Sequence, residues 1–198
     1  MSEPSPSTPA LAAAVLFRPA RAFARLAAMP APRFGLGCGL LLGASWAALA
    51  AWLAAGGHRP SMTRGLPVAA DDYYAIAALY LAPLWVGLTA LTAGVAHALA
   101  RRLGGRGSMA ASLGAVGAAY ALPLWCAFVV PDLVVFALAG HDALGAAMRF
   151  TGPLALGWVA LRTVQAIDAV HGLGRGRAWV AAMVAAVVQA IPAALLVR

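Results

Sequence analysis

The chain has 198 residues, 63% of them hydrophobic and only 10% charged, and its 14 basic residues outnumber six acidic ones to give a formal charge of +8. That balance excludes an ordinary soluble domain, where about a quarter of residues are charged and where a chain this short has too little interior to hide so much apolar surface. It also excludes a nucleic-acid-binding module, because every basic residue is an arginine and most stand in short stretches between apolar runs.

Residues 1–10 include Ser2, Pro4, Ser5, Pro6, Ser7 and Pro9, a composition that favours a disordered tail. A cleaved signal peptide is not expected, since Glu3 is the one charge before a short apolar stretch that ends at Arg18-Pro19. Residues 11–29 predict an amphipathic helix. At about 100° per residue, Arg18, Arg21 and Arg25 share one face, with Leu16, Phe23 and Leu26 opposite. Such a helix lies in the headgroup region with its arginines on anionic lipid. The alternative is a plain flank whose arginines only set topology.

A transmembrane domain of five helices follows over residues 34–197. The predicted spans are 34–56, 74–100 with Pro83, 109–130 with Pro123, 150–170, and 178–197 with Gln189 and Pro192. Each is long enough to cross roughly 30 Å of hydrocarbon, and prolines are tolerated where neighbouring helices satisfy the freed carbonyls. Residues 133–140 are apolar but too short to cross, and are read as an outer interfacial or re-entrant piece. With the N-terminus inside, nine arginines (18, 21, 25, 33, 101, 102, 106, 175, 177) fall on the cytoplasmic side and four (59, 64, 149, 198) outside. The bias predicts N-inside, C-outside. Asp71 or Asp72 is then placed to cap the second span, beside Tyr73 and Tyr74 at the outer headgroups.

Helices in a bilayer associate by close packing and interhelical hydrogen bonds, not by the hydrophobic effect. Gly35, Gly39 and Gly43 stand every fourth residue on the first span and predict close approach of a neighbour, within the bundle by preference or in a second protomer as the alternative. Cys38 and Cys126 lie at different depths and are not expected to bridge.

Phosphate-loop, zincin, Cys-x-x-Cys and nucleophile-elbow motifs are missing, so no catalytic residue, metal ligand or cofactor is assigned. His58, His97, His141 and His171 are scattered over both sides, against a shared metal site. Asp168 and His171 share a helical face and could pair as orienter and base, with Ser108 the nearby hydroxyl, but a hydrogen-bonded helix end explains them as well. Arg162, Gln165 and Asp168 form a polar row in the fourth span. An arginine at mid-depth costs about 3 kcal/mol, which leaves three readings. One is a solute or ion path with His97, one is a staple between helices, and one is a span shifted so that Arg162 meets the interface.

The two inner turns are alike. One reads Gly104-Gly105-Arg106-Gly107-Ser108 and the other His171-Gly172-Leu173-Gly174-Arg175-Gly176-Arg177. Together with Tyr120-Ala121-Leu122-Pro123 and Arg18-Pro19-Ala20-Arg21-Ala22-Phe23, they resemble the bacterial branch of the Yip-domain family over nearly the whole chain after the tail. The resemblance implies five membrane helices, a cytoplasmic N-terminus and no enzymatic activity. Eukaryotic members are associated with Ypt/Rab GTPases and vesicle formation. The acidic N-terminal region tied to that role has no counterpart here, because Glu3 is the one acid before Asp71. The expectation is therefore a non-enzymatic protein of the bacterial inner membrane. It binds other membrane proteins or shapes lipid, with Arg18, Arg21 and Arg25 meeting anionic headgroups and the Gly-Arg turns meeting other membrane proteins or a second copy. The alternative is a small permease or channel using Arg162, Asp168 and His97.

Overall fold

The computed structural model describes residues 7–60 and 68–196, so the first six residues of the expected tail, Arg64, and the terminal Val197 and Arg198 lie outside the described residues. Among the described residues the chain is helical: α1 (Thr8–Phe17), α2 (Pro19–Ala28), α3 (Pro32–Ala55), α4 (Tyr73–Arg102), α5 (Met109–Leu124), a π-helical turn Trp125–Val129, α6 (Val130–Ala139), a 3-10 turn His141–Ala143, α7 (Leu144–His171) and α8 (Arg175–Leu196). Five stretches are long and apolar enough to cross a membrane: Pro32–Ala55, Tyr73–Arg102, Met109–Ala139, His141–His171 and Arg175–Ala193. This is an integral membrane protein.

Boundaries differ from the sequence reading in four places, each for a local reason. Residues 8–10 belong to α1 and not to a tail, with Pro9 in the first turn, where its missing N–H is no loss. The single helix expected over 11–29 is two helices. Arg18 leaves helical geometry (φ −135°, ψ 54°) because the ring of Pro19 disfavours it in the residue before. Residues 133–139 are not a re-entrant piece but the end of the third span. Pro123 and Pro131 would each leave a carbonyl without its N–H, and the chain answers with a wide turn in which the Val130 N–H reaches the Trp125 carbonyl, five residues back. The helix then continues until Gly140, at φ 80°. The fourth span likewise starts before residue 150. Leu144 is buried and Arg149 is exposed on the first turns of α7, so this arginine belongs to the helix and not to a loop.

α5 is the centre of the bundle. It touches α1, α2, α3, α4 and α7, and Ala111, Ser112, Gly114, Ala115, Gly117, Ala118, Ala119 and Ala121 on it are all buried. Surrounded on every side, it holds small residues that let neighbouring backbones come close. α8 closes the bundle against α4 and α7. The three glycines of α3 face inward and divide between two partners. A methyl group on Gly35 would collide with the Leu113 carbonyl of α5, one on Gly39 would sit 2.5 Å from the Thr89 hydroxyl of α4, and one on Gly43 would sit 2.8 Å from the Ala82 Cα. At mid-height Trp46 stacks on Phe128 and meets Trp85 edge-on. Trp125 donates to the Ser45 hydroxyl at 3.0 Å, and Ser45 donates to the Leu41 carbonyl. Tyr120 donates to the Gln189 side chain of α8 at 2.6 Å. Cys38 and Cys126 are both free.

Candidate functional site

The α4–α5 turn, the α7–α8 turn and the start of α3 mark one end of the bundle, and they carry Arg33, Arg101, Arg102, Arg106, Arg175 and Arg177. The two turns are joined there through His171. Its Nδ1 accepts from the Gly107 N–H at 3.2 Å, its carbonyl accepts from the Arg106 N–H at 3.3 Å, and its Nε2 lies 3.0 Å from the Ser112 hydroxyl. Because Nδ1 accepts, the neutral ring carries its proton on Nε2 and donates to Ser112. Ser112 is fully buried and also reaches the Ser108 carbonyl (3.1 Å) and His97 Nδ1 (3.1 Å). The rings of His97 and His171 are 5.2 Å apart.

The glycines of the first turn are explained by this contact. A Cβ on Gly105 would lie 2.8 Å from the Ala100 carbonyl and from the His171 Cβ, and one on Gly107 would collide with Val170. Gly104 stands at φ 95°, where L side chains are strained. Ser108 caps α5, its hydroxyl accepting from the Ala111 N–H at 3.1 Å. The second turn is held by Asp168, whose carboxylate accepts from the Gly174 N–H at 2.7 Å, and by Gly172 in the left-handed conformation that ends α7 (φ 65°). Arg177 crosses between the turns and donates to the Leu103 carbonyl at 3.4 Å, while Arg101 braces its own turn by donating to the Gly105 carbonyl at 3.2 Å. Among the described residues Arg59 pairs with Asp71 and His141 contacts Asp142, both at the opposite end, and no arginine of this tip forms an ion pair with a carboxylate.

The structure separates residues that the sequence places in one row. Arg162 donates to the Leu16 carbonyl of α1 at 2.7 Å and to Gln165 at 2.8 Å. Asp168 turns to the α7–α8 turn, and His97 joins Ser112. Asp168 and His171 therefore hold different backbone groups, and Ser108 is a helix cap. As a base for Ser112, His171 carries its proton on the wrong nitrogen. Arg18 and Arg21 are exposed and Arg25 half-buried, while Phe23 (0% exposed) and Leu26 (1%) press into α5 and α7. The apolar face of α2 thus meets protein rather than lipid tails.

Several partnerships were not visible in the sequence. Ser112 stands four residues after Ser108 in an otherwise apolar stretch, which was its one signal. At the far end His58 and His141 stack at 4.9 Å, and the Tyr74 hydroxyl lies 3.2 Å from His141 Nε2. Asp72 occupies the N-cap position of α4 without a side-chain cap bond, and Asp71 instead pairs with Arg59. The histidines thus pair between segments distant in the chain, one pair at each end. Among the described residues no group of three or more His, Cys, Asp or Glu could hold a metal ion.

The family model described as the Yip1 domain matches residues 13–197. The chain belongs to the Yip1 family. No curated protein and no solved structure matches it. The Yip1 match runs from α1 to the end of α8, so the arginine-bearing tip, the N-terminal helices and the five spans are parts of one domain. The Yip1 family is not a known enzyme family.

Proposed function

We propose that this Yip1-domain protein is a non-enzymatic component of a bacterial inner membrane that organises or adapts other membrane components through its arginine-bearing tip. In this reading the N-terminus and the tip face the cytoplasm and the C-terminus lies outside, as the distribution of arginines favours. The observation that carries it is the junction at His171. Two turns from different helical hairpins form one surface, with Arg101, Arg102, Arg106, Arg175 and Arg177 on it and, among the described residues, none of them in an ion pair with a carboxylate. A rigid surface loses little conformational freedom on binding, which favours docking. Arg18, Arg21 and Arg25 hold the N-terminal helices to anionic headgroups at about 1 kcal/mol each. The partners of the tip are other membrane proteins or a second copy of the chain. No cofactor enters the reading.

Gentle copurification of the tagged protein from its native membrane tests the reading. A stoichiometric protein partner that is lost on the triple change Arg106→Gln, Arg175→Gln, Arg177→Gln is the expected result. Recovery of the folded protein with no enriched partner would overturn it. Orientation is checked separately: a cysteine replacing Arg106 that reacts with a membrane-impermeant reagent from outside intact cells would reverse the topology.

A further inference from the structure

We infer that the protein is a wedge across the bilayer, widest in the leaflet at its arginine-rich end, and that it prefers a lipid surface convex on that side. The inference stands apart from any docking partner and rests on the placement of α2. The Arg162 guanidinium, bound to Gln165 and to the Leu16 carbonyl, lies six to nine residues before His171. At about 1.5 Å per residue it is about 9–14 Å below the end of α7. On the other side of α2, the Ala31 carbonyl would lie 2.8 Å from a methyl group on Gly114. Gly114 is six residues past Ser108, or about 9 Å below the end of α5. The stretch from Leu16 to Ala31 contains all of α2, a helix about 15 Å long, yet its two ends differ in depth by only about 5 Å or less. α2 therefore runs across the bundle, from α7 towards α5, and not along it.

Its depth coincides with a membrane boundary. α4 has 30 residues, about 45 Å against about 30 Å of hydrocarbon, so the tips overreach and the plane of α2 falls near the headgroups. The exposed side chains agree with that level. Phe17 (75% exposed) and Met29 (54%) flank α2 as apolar contacts for lipid, with Arg18 and Arg21 exposed beside them. At the opposite end the described residues supply a 3-10 turn, His141–Ala143, and no second helix lying across the bundle. The lateral area of α2 is about 150 Å², set against about 400 Å² for five crossing helices of roughly 10 Å diameter. α1, packed on α2 and α5, adds to the same side. A leaflet filled more on one side than the other relaxes by bending, with the fuller leaflet outermost.

The test reconstitutes the full-length protein in giant vesicles of phosphatidylcholine and draws thin membrane tubes from them. An impermeant dye on a cysteine replacing Arg106 reports molecules with the tip outward; labelling after dye is also admitted inside reports both orientations. Outward-facing molecules should show a tube-to-vesicle density ratio above one, and inward-facing molecules a ratio below one. Equal ratios for the two orientations would overturn the wedge. A ratio above one that appears only when phosphatidylglycerol is added would assign the effect to the arginines and overturn it as well.

Discussion

Two glycines two residues apart on α3 make a sharp test of the packing. A methyl group on Gly35 would collide with the Leu113 carbonyl and lie 3.0 Å from the Gly114 carbonyl oxygen, both backbone atoms of α5. Neither can rotate away, so Gly35→Ala forces α3 and α5 apart. Overpacking of this kind costs about 1–3 kcal/mol, and the rigid contact puts it near the upper value. Alanine's better helix propensity returns up to about 1 kcal/mol, leaving a net loss of about 2 kcal/mol. Gly37 has no heavy atom within 4 Å of the same added carbon, so Gly37→Ala should keep the propensity gain of about 1 kcal/mol with no clash. The two variants should then differ by about 3 kcal/mol, or about two orders of magnitude in the unfolding equilibrium. Dodecyl sulfate titration of the protein in maltoside micelles, followed by tryptophan fluorescence, reads this directly. Coincident transitions, or a weaker Gly37→Ala, would refute the inward placement of Gly35.

Other predictions follow from single side chains. His171→Ala strands the Gly107 N–H and removes one bond to Ser112, at about 1–3 kcal/mol for each stranded group. A cysteine replacing Arg106 should then react faster with maleimide in micelles, and an unchanged rate would mean the two turns are held otherwise. Arg162→Leu removes the bond to the Leu16 carbonyl, a charged hydrogen bond of about 1.5–3 kcal/mol. A spin label replacing Ala13 should become more mobile, with partial recovery in Arg162→Lys; a rigid label in Arg162→Leu would show that apolar packing alone holds α1. Asp168→Asn keeps an oxygen for the Gly174 N–H whereas Asp168→Ala does not, so the first should melt like the parent and the second about 1 kcal/mol lower. Equal losses would imply that the charge, and not the bond, matters.

The number of spans was legible because bilayer thickness imposes it on any apolar helix. Their ends were less so. The third span looks finished just before Pro131, but the π turn that precedes this proline absorbs the defect and carries the helix on to Ala139. Arg149 looks like a loop residue, yet an arginine on the first turns of α7 can keep its charge in the headgroups while its backbone stays helical. At Arg18 the opposite happened. A smooth periodicity of arginines and apolar residues concealed a break that Pro19 imposes on its predecessor.

The tip was visible as composition and hidden as geometry, and the reason lies in what its polar side chains bind. Reading Arg162 with Asp168, or Asp168 with His171, pairs side chain with side chain. In the structure neither of those pairs forms, and beside the Arg162–Gln165 and His171–Ser112 bonds these residues bind backbone: Arg162 the Leu16 carbonyl, Asp168 the Gly174 N–H, His171 the Gly107 N–H, Arg101 the Gly105 carbonyl and Arg177 the Leu103 carbonyl. Every one of those backbone groups belongs to the end of a helix or to the turn beside it, where helical pairing leaves donors and acceptors orphaned. Water can serve such groups on a soluble protein, but near hydrocarbon each unpaired one costs several kcal/mol. The few polar side chains of this chain are therefore drawn to the helix breaks. Their partners lie as much as 146 residues away in sequence, for Arg162 and Leu16, and depend on which helix ends the bundle brings together.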